Sequence, residues 1–229
     1  NRLRKMTAPF LLRRSKSQVL SDLPEKDEKT IYSGMEDEQR KLYLAAHKQL
    51  VDQLQGIDSA YYEKNKIFIL SQLTKLRQIC CHPALCYDDY QGSSAKLEAC
   101  MELVQRAVKG KHKVLLFSQF TSMLDLIRER LAEQNTKYYC LTGNTDKQER
   151  QRLVDEFQND DTPVFLISLK AGGTGLNLTA ADIVIHYDPW WNVAAQNQAT
   201  DRAHRIGQKN TVTVAVFPTI FSMTRSEER

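Results

Sequence analysis

The residues best placed to do chemistry lie in Gln198-Ala-Thr-Asp-Arg202-Ala-His-Arg205-Ile-Gly-Gln208. Read as a helix, the stretch sets Gln198, Arg202 and Arg205 at i, i+4 and i+7. That is one amide and two guanidiniums in a row on one face. Gly207 falls where a left-handed cap would end such a helix. A guanidinium is never deprotonated in a protein and must find an anion, so two on one face make poor core material. Two readings stand at this point. One is a solvated basic face. The other is an anion clamp, best suited to phosphate, whose oxygens the planar fork meets bidentately.

The elements that would position this stretch can be read from hydrophobic period. Short apolar runs at 114–118, 138–142, 164–168, 183–187 and 212–217 read as strands. Amphipathic stretches at 94–109, 122–134, 146–158 and 194–205 read as helices, with a further short helix at 175–179. Strand and helix alternate at lengths suited to βαβ crossovers. The expected fold is therefore α/β, a doubly wound parallel sheet. In such sheets ligands sit outside the carboxyl ends of the strands. The segments leaving those ends are polar and often glycine-rich: 118–121, 142–144, 169–175 and 188–192. Topology alone brings them to one edge.

Ahead of the alternating region, residues 37–54 and 67–79 carry helical stripes: Leu42, Tyr43, Ala46, Leu50 and Leu54, then Ile69, Leu70, Leu73, Leu76 and Ile79. Pro83 ends the second. Two such helices form a hairpin that must dock elsewhere, since a lone pair buries too little. Residues 1–30 read as a basic linker around the apolar patch Pro9-Phe10-Leu11-Leu12. The expected organisation is a linker at 1–30, a helical protrusion at 31–90, the α/β unit at 91–217 and an atypical tail at 218–229.

Composition sets bounds. Hydrophobic residues make up 41%, so a buried core is expected rather than disorder. A formal charge of +4 is too small to argue for nucleic acid on its own. Cys80-Cys81-His82 and Cys86 lack the spacing of a zinc knuckle and read as half-buried thiols of a reducing compartment. No metal site is expected. No apolar run could span a bilayer, so an intracellular protein with no membrane partner is expected.

Three loops carry candidate chemistry. Ala171-Gly-Gly-Thr-Gly175 offers backbone N–H groups that could close on a phosphate, or it is simply a tight strand-to-helix turn. It is neither a Walker A loop nor a dinucleotide fingerprint. The 142–146 segment is a helix start capped by Thr145 or Asp146. In Asp188-Pro-Trp190-Trp191-Asn192, neighbouring side chains of an extended segment face opposite ways. One tryptophan is therefore expected in the core, and the other at a surface, against a sugar–phosphate backbone or a partner.

Several stretches, in order, resemble motifs of the Swi/Snf-type DNA-translocating ATPases, a branch of helicase superfamily two. They are PFLLRRSKSQV, LTKLRQICCHP, FSQFTSMLDLI, LTGNTDKQER, AGGTG, DPWWN and QATDRAHRIGQ. The resemblance implies the second, C-terminal RecA-like helicase lobe with an inserted helical protrusion. It further implies that Arg202 and Arg205 are arginine fingers, and that Gly175, Asn177 and Gln198 face a nucleotide. Gln119, Thr142, Gly143, Lys170, Thr174, Trp190 and Trp191 would contact double-stranded DNA. The cofactors implied are ATP and Mg²⁺, bound mainly by the N-terminal RecA-like lobe of the same enzyme. No GKT/GKS loop and no DEAH-type strand end occurs in these residues, so the lobe alone is expected to be inactive. Val193 stands where the family more often has Pro, and residues 218–229 do not follow its pattern. Two other readings remain: a non-catalytic DNA-binding module, and a nucleotide-sugar domain of glycosyltransferase type.

Overall fold

Strands buried on both faces must be apolar at every position, and Val114-Leu-Leu-Phe-Ser118 and Val164-Phe-Leu-Ile-Ser168 are buried throughout. They are adjacent inner strands of the sheet in the computed structural model, which describes Met6 and residues 23–55, 59–171, 175–190 and 192–218. Six strands form the sheet: β1 (Lys26–Thr30), β2 (Val114–Ser118), β3 (Tyr138–Leu141), β4 (Val164–Ser168), β5 (Ile183–His186) and β6 (Val212–Val216). Their order is β1-β6-β5-β2-β4-β3, and every pairing is parallel. The doubly wound α/β sheet expected from the sequence is the observed fold.

The helices are α1 (Asp37–Leu54), α2 (Ser59–Cys81), α3 (Ala95–Lys109), α4 (Thr121–Glu133), α5 (Lys147–Asn159) and α6 (Val193–Thr200). Alternation along β2 feeds two cores. Val114 and Leu116 meet α3 and α4 on one face, through Leu97, Met101, Val104, Leu124 and Ile127. Leu115 and Phe117 meet α5 and α6 on the other, through Val154, Phe157 and Ala199. At the start of α5, Asp146 accepts the N–H groups of Gln148 and Glu149, the cap that its residue type suggests.

The helical hairpin α1–α2 docks through its base. Gln39 is buried and donates from Nε2 to the Ile79 carbonyl at 2.8 Å, satisfying a backbone group at the end of α2. Tyr187 Oη and Ser94 Oγ both donate to the Cys81 carbonyl, at 2.8 and 2.9 Å. The expected stripes are buried only at Leu50, Ile69, Leu76 and Ile79, while Leu54 and Leu70 are exposed. Two helices standing off a sheet share one seam, too narrow to cover both stripes. Cys80 and Cys81 are more buried than expected, and burial pushes the Cys80 thiol up to about 11. Such thiols are inert. His82 spends Nδ1 on the Ala84 N–H at 3.2 Å.

Three elements differ from expectation. Lys26–Thr30, within the segment expected as linker, is an edge strand whose ladder continues from Glu25 O to Ile31 N–H. All five of its residues are exposed, so no hydrophobic period could announce it. Charged side chains also protect such an edge from further pairing. Residues 175–179 form no helix. Instead Leu176 and Leu178 turn inward between exposed Gly175 and Asn177, a period of two. Finally α6 ends at Thr200, not at 205. The Arg202 carbonyl, which would continue the helix, accepts the Leu178 N–H at 3.0 Å. Gln208 then ties the turn, donating from Nε2 to the carbonyls of Ala181 (2.8 Å), Thr179 and Ala203 (both 3.2 Å). Gly207 takes a φ of +100°, as expected of its residue type.

Candidate functional site

The chain leaving β2 leads towards β3 on one side, and the chain leaving the adjacent β5 leads to β6 on the other. This is the switch point at which open α/β sheets leave a crevice. Its walls are the loops after Ser118 and His186, and the buried Asp188 carboxylate joins them by accepting the Gln119 N–H at 3.0 and 3.2 Å. Burial pushes Asp188 up to about 6, against the pull of the Ser118 hydroxyl, Lys96 and the Gln119 N–H. Beside this joint lies a hollow of about 370 Å³ lined by Arg77, Gln119, Phe120, Leu169, Lys170 and Trp190. It thus gathers Gln119, Lys170 and Trp190, three residues that the sequence places together only by analogy. Trp190 is 41% exposed. Lys170 is also exposed.

The arginines lie on the α5–α6 face. The expected row of three on one helix does not form, because α6 stops at Thr200. The turn nevertheless delivers them to a common place. Gln198, Asp201, Arg202 and Arg205 line a hollow of about 250 Å³ together with Gly175 and Leu176. On its other side, segment 175–177 borders a trough of about 720 Å³ walled by Lys147, Arg150, Gln151 and Gln158 from α5. Gly175 and Asn177 both open on this trough. Arg205 is exposed, but Arg202 is 4% exposed. Burial lowers the Arg202 pKa, and the nearby positive charge of Arg150 lowers it further. Two guanidiniums and one carboxylate, Asp201, line the hollow, so the charge of its lining is net positive and suits an anion.

Arg150 and Arg77 had no assigned role in the sequence, though a signal was there. Arg150 shares the face of Val154 and Phe157 at i, i+4 and i+7, and Arg77 follows Leu73 by four. A charge in register with an apolar stripe must meet a buried partner. Arg150 Nη1 donates to the Ala171 carbonyl at 3.1 Å, holding the start of the glycine loop. Among the expected contacts at the 142–143 turn, Gly143 is exposed with open space beside it. The Thr142 N–H is engaged by Thr145 Oγ1 at 3.1 Å, and the turn lies outside both hollows. Thr174 and Trp191 fall outside the described residues.

One buried titratable group fixes α6 to the sheet. His186 stacks on Phe117, with centroids 5.5 Å apart, and its Nε2 lies 2.9 Å from Thr200 Oγ1. Burial pulls its pKa from 6.5 down to about 4. The folded state thus favours the neutral ring. Its contribution is complete above pH 6.5 and is lost as pH falls towards 4, on the order of 3 kcal/mol in all. In His186→Gln the fall in stability across that window, followed by denaturant melts, should be correspondingly shallower. An unchanged profile would refute this.

The parallel sheet with its carboxyl-edge crevice is a doubly wound α/β fold built to hold a ligand at that edge. Residues 95–207 match the helicase conserved C-terminal domain, and residues 1–85 match the SNF2-related domain. The chain is 41% identical over 216 residues to an uncharacterized ATP-dependent helicase of Mycoplasma pneumoniae, covering 93% of this chain and 20% of that protein. It therefore spans about a fifth of that relative's length. The SWI2/SNF2 ATPase core of Sulfolobus solfataricus in complex with dsDNA superposes with a TM-score of 0.73 at 36% identity, over 94% of this chain and 46% of that one. The C-terminal domain of the S. solfataricus SWI2/SNF2 ATPase superposes with a TM-score of 0.69 at 34% identity, over 84% of this chain and 79% of that one. The chain belongs to the SWI2/SNF2 ATPase family and is its C-terminal helicase lobe. The nucleotide-sugar alternative falls with that finding.

Proposed function

We propose that this lobe is the arginine-supplying, DNA-gripping half of an enzyme that hydrolyses ATP and steps along double-stranded DNA. The observation that carries the reading is the pair of hollows. One presents Arg202 and Arg205 beside Gly175 and Gln198, and the other presents Lys170, Gln119 and Trp190. The first suits the γ-phosphate of ATP, with Arg202 and Arg205 as fingers for the charge that develops as phosphoryl transfer proceeds. Gly175 and Asn177 would line the nucleotide side. The second suits a DNA backbone, with Lys170 as the point charge and Trp190 packed against sugar. Thr174, Trp191 and the 142–143 turn would extend that contact.

The donor set fits phosphate and does not fit a divalent ion. Among the described residues no cluster of three or more His, Cys, Asp or Glu could hold a metal. In this reading Mg²⁺ and the β- and γ-phosphates are held by the N-terminal RecA-like lobe, and this chain completes the site across the cleft. No helix among the described residues is long and apolar enough to cross a membrane. The S. solfataricus ATPase core that superposes on this chain is itself in complex with dsDNA, which supports the same partner here.

Backbone contacts carry no sequence information, so duplex affinity should be salt-dependent and nearly indifferent to sequence. Lys170→Ala should weaken all duplexes alike and reduce the salt slope by about one, the change expected for one lost phosphate contact. Titrations of several duplexes across a range of salt check this. A strong preference for one sequence, or an unaltered slope, would count against the DNA assignment.

A further inference from the structure

Arg77 links the helical hairpin to the edge assigned above to DNA. Arg77, near the end of α2, donates from Nη1 to Gln119 Oε1 at 3.1 Å and from Nη2 to the Pro189 carbonyl at 2.9 Å. These two acceptors belong to the two loops of the switch point, which Asp188 already joins through the Gln119 N–H. Burial lowers the Arg77 pKa, and the nearby Asp188 carboxylate opposes that shift. The residue after Pro189 is Trp190, and Arg77, Gln119 and Trp190 line the same hollow as Lys170. A second anchor lies one turn on, where Tyr187 Oη donates to the Cys81 carbonyl at 2.8 Å. Chain segment 187–189, just before Trp190, is therefore held by the last turns of α2 at both ends.

We infer that Arg77 is a positioning residue: its two-pronged bond to Gln119 and Pro189 sets the pose of Trp190, and so lets the helical hairpin govern how the lobe presents its DNA edge. The part concerning DNA rests on the function proposed above. The geometry of the guanidinium matters here. Its rigid fork spans two acceptors on different loops, whereas a lysine ammonium on a flexible stem would satisfy one at a time. Movement of α2 would thus be passed to the Gln119 and Trp190 loops together. Nothing in the bond network requires Arg77 to touch DNA itself.

The test uses this 229-residue chain with Trp191→Phe, leaving Trp190 as its sole tryptophan. Without DNA, Arg77→Ala should shift Trp190 emission to the red and make it easier to quench with acrylamide, with the thermal melt still cooperative. Duplex affinity should fall about tenfold, the scale set by roughly 1.4 kcal/mol of lost positioning. Arg77→Lys should lie between Arg77→Ala and the parent in both measurements. Gln119→Met removes one acceptor alone and should move Trp190 in the same direction, which keeps the test open if Arg77→Ala does not fold. Unchanged Trp190 emission in these variants would overturn the proposal, whatever happens to DNA. So would unchanged duplex affinity in Arg77→Ala while Lys170→Ala weakens it. If neither variant alters duplex affinity but Trp190 still moves, it is the DNA assignment that fails, and Arg77 keeps its positioning role.

Discussion

Arg202→Ala, in this chain joined to an N-terminal RecA-like lobe, is expected to lower kcat by on the order of 10³ or more, the scale of arginine fingers. Arg205→Ala should behave alike. ATP affinity should change far less, because an arginine finger acts on charge that develops only in the transition state. The two positions differ in a way that sharpens the test. Arg202 is buried next to Arg150, and its backbone carbonyl holds Leu178, a contact that survives side-chain truncation. Arg205 is exposed at the mouth of the same hollow. Truncation of either should therefore leave the fold intact, and Arg202→Ala should remove a buried like-charge contact. Single-turnover hydrolysis and nucleotide titration separate the two effects. Wild-type kcat in both variants would contradict the finger assignment, and so would a loss explained wholly by weaker ATP binding.

Phe165→Ala is expected to destabilise the lobe by about 3–5 kcal/mol, the range for truncating a fully buried aromatic. Phe165 sits on β4 with no exposed surface, edge-on to Tyr139 at 6.0 Å and tilted on Phe157 at 5.1 Å. Rings from β3, β4 and α5 thus meet at one point, and close packing leaves little freedom for collapse around the void. The same core supports the Leu176–Leu178 segment beside the arginine hollow. The variant should therefore lose function at temperatures where the parent retains it. Urea melts measure the difference. A cost below about 1 kcal/mol would show that this core is far more plastic than its packing implies.

Much of the fold was legible because both faces of the sheet are covered. β2 and β4 occupy the residues expected, since an apolar run closed by helices on each side leaves no ambiguity of face. β1 was illegible for the opposite reason, as Lys-Asp-Glu-Lys-Thr carries its pairing in the backbone alone. The end of α6 was missed because it is set by long-range bonds, from Leu178 and the Gln208 carboxamide, that no local spacing encodes. The site shows the same division. Arg202 and Arg205 stood out by residue type, and they line one hollow through a turn rather than along a helix. Arg77 and Arg150 were passed over, although each breaks an apolar stripe. Their partners, the Pro189 and Ala171 carbonyls and the Gln119 side chain, are distant in sequence, which no local spacing could reveal.

Steady-state ATP hydrolysis, measured on this chain alone and on the chain joined to its N-terminal lobe, tests the central claim most directly. In the proposed reading the chain contributes guanidiniums and DNA contacts, while its sequence holds no GKT/GKS loop and its described residues hold no cluster for magnesium. Phosphoryl transfer requires both before a finger can matter. The chain alone should show no turnover above background, with or without duplex DNA, and the joined enzyme should show hydrolysis stimulated by duplex. Robust turnover by the isolated chain would contradict the account, as would a joined enzyme whose hydrolysis ignores DNA.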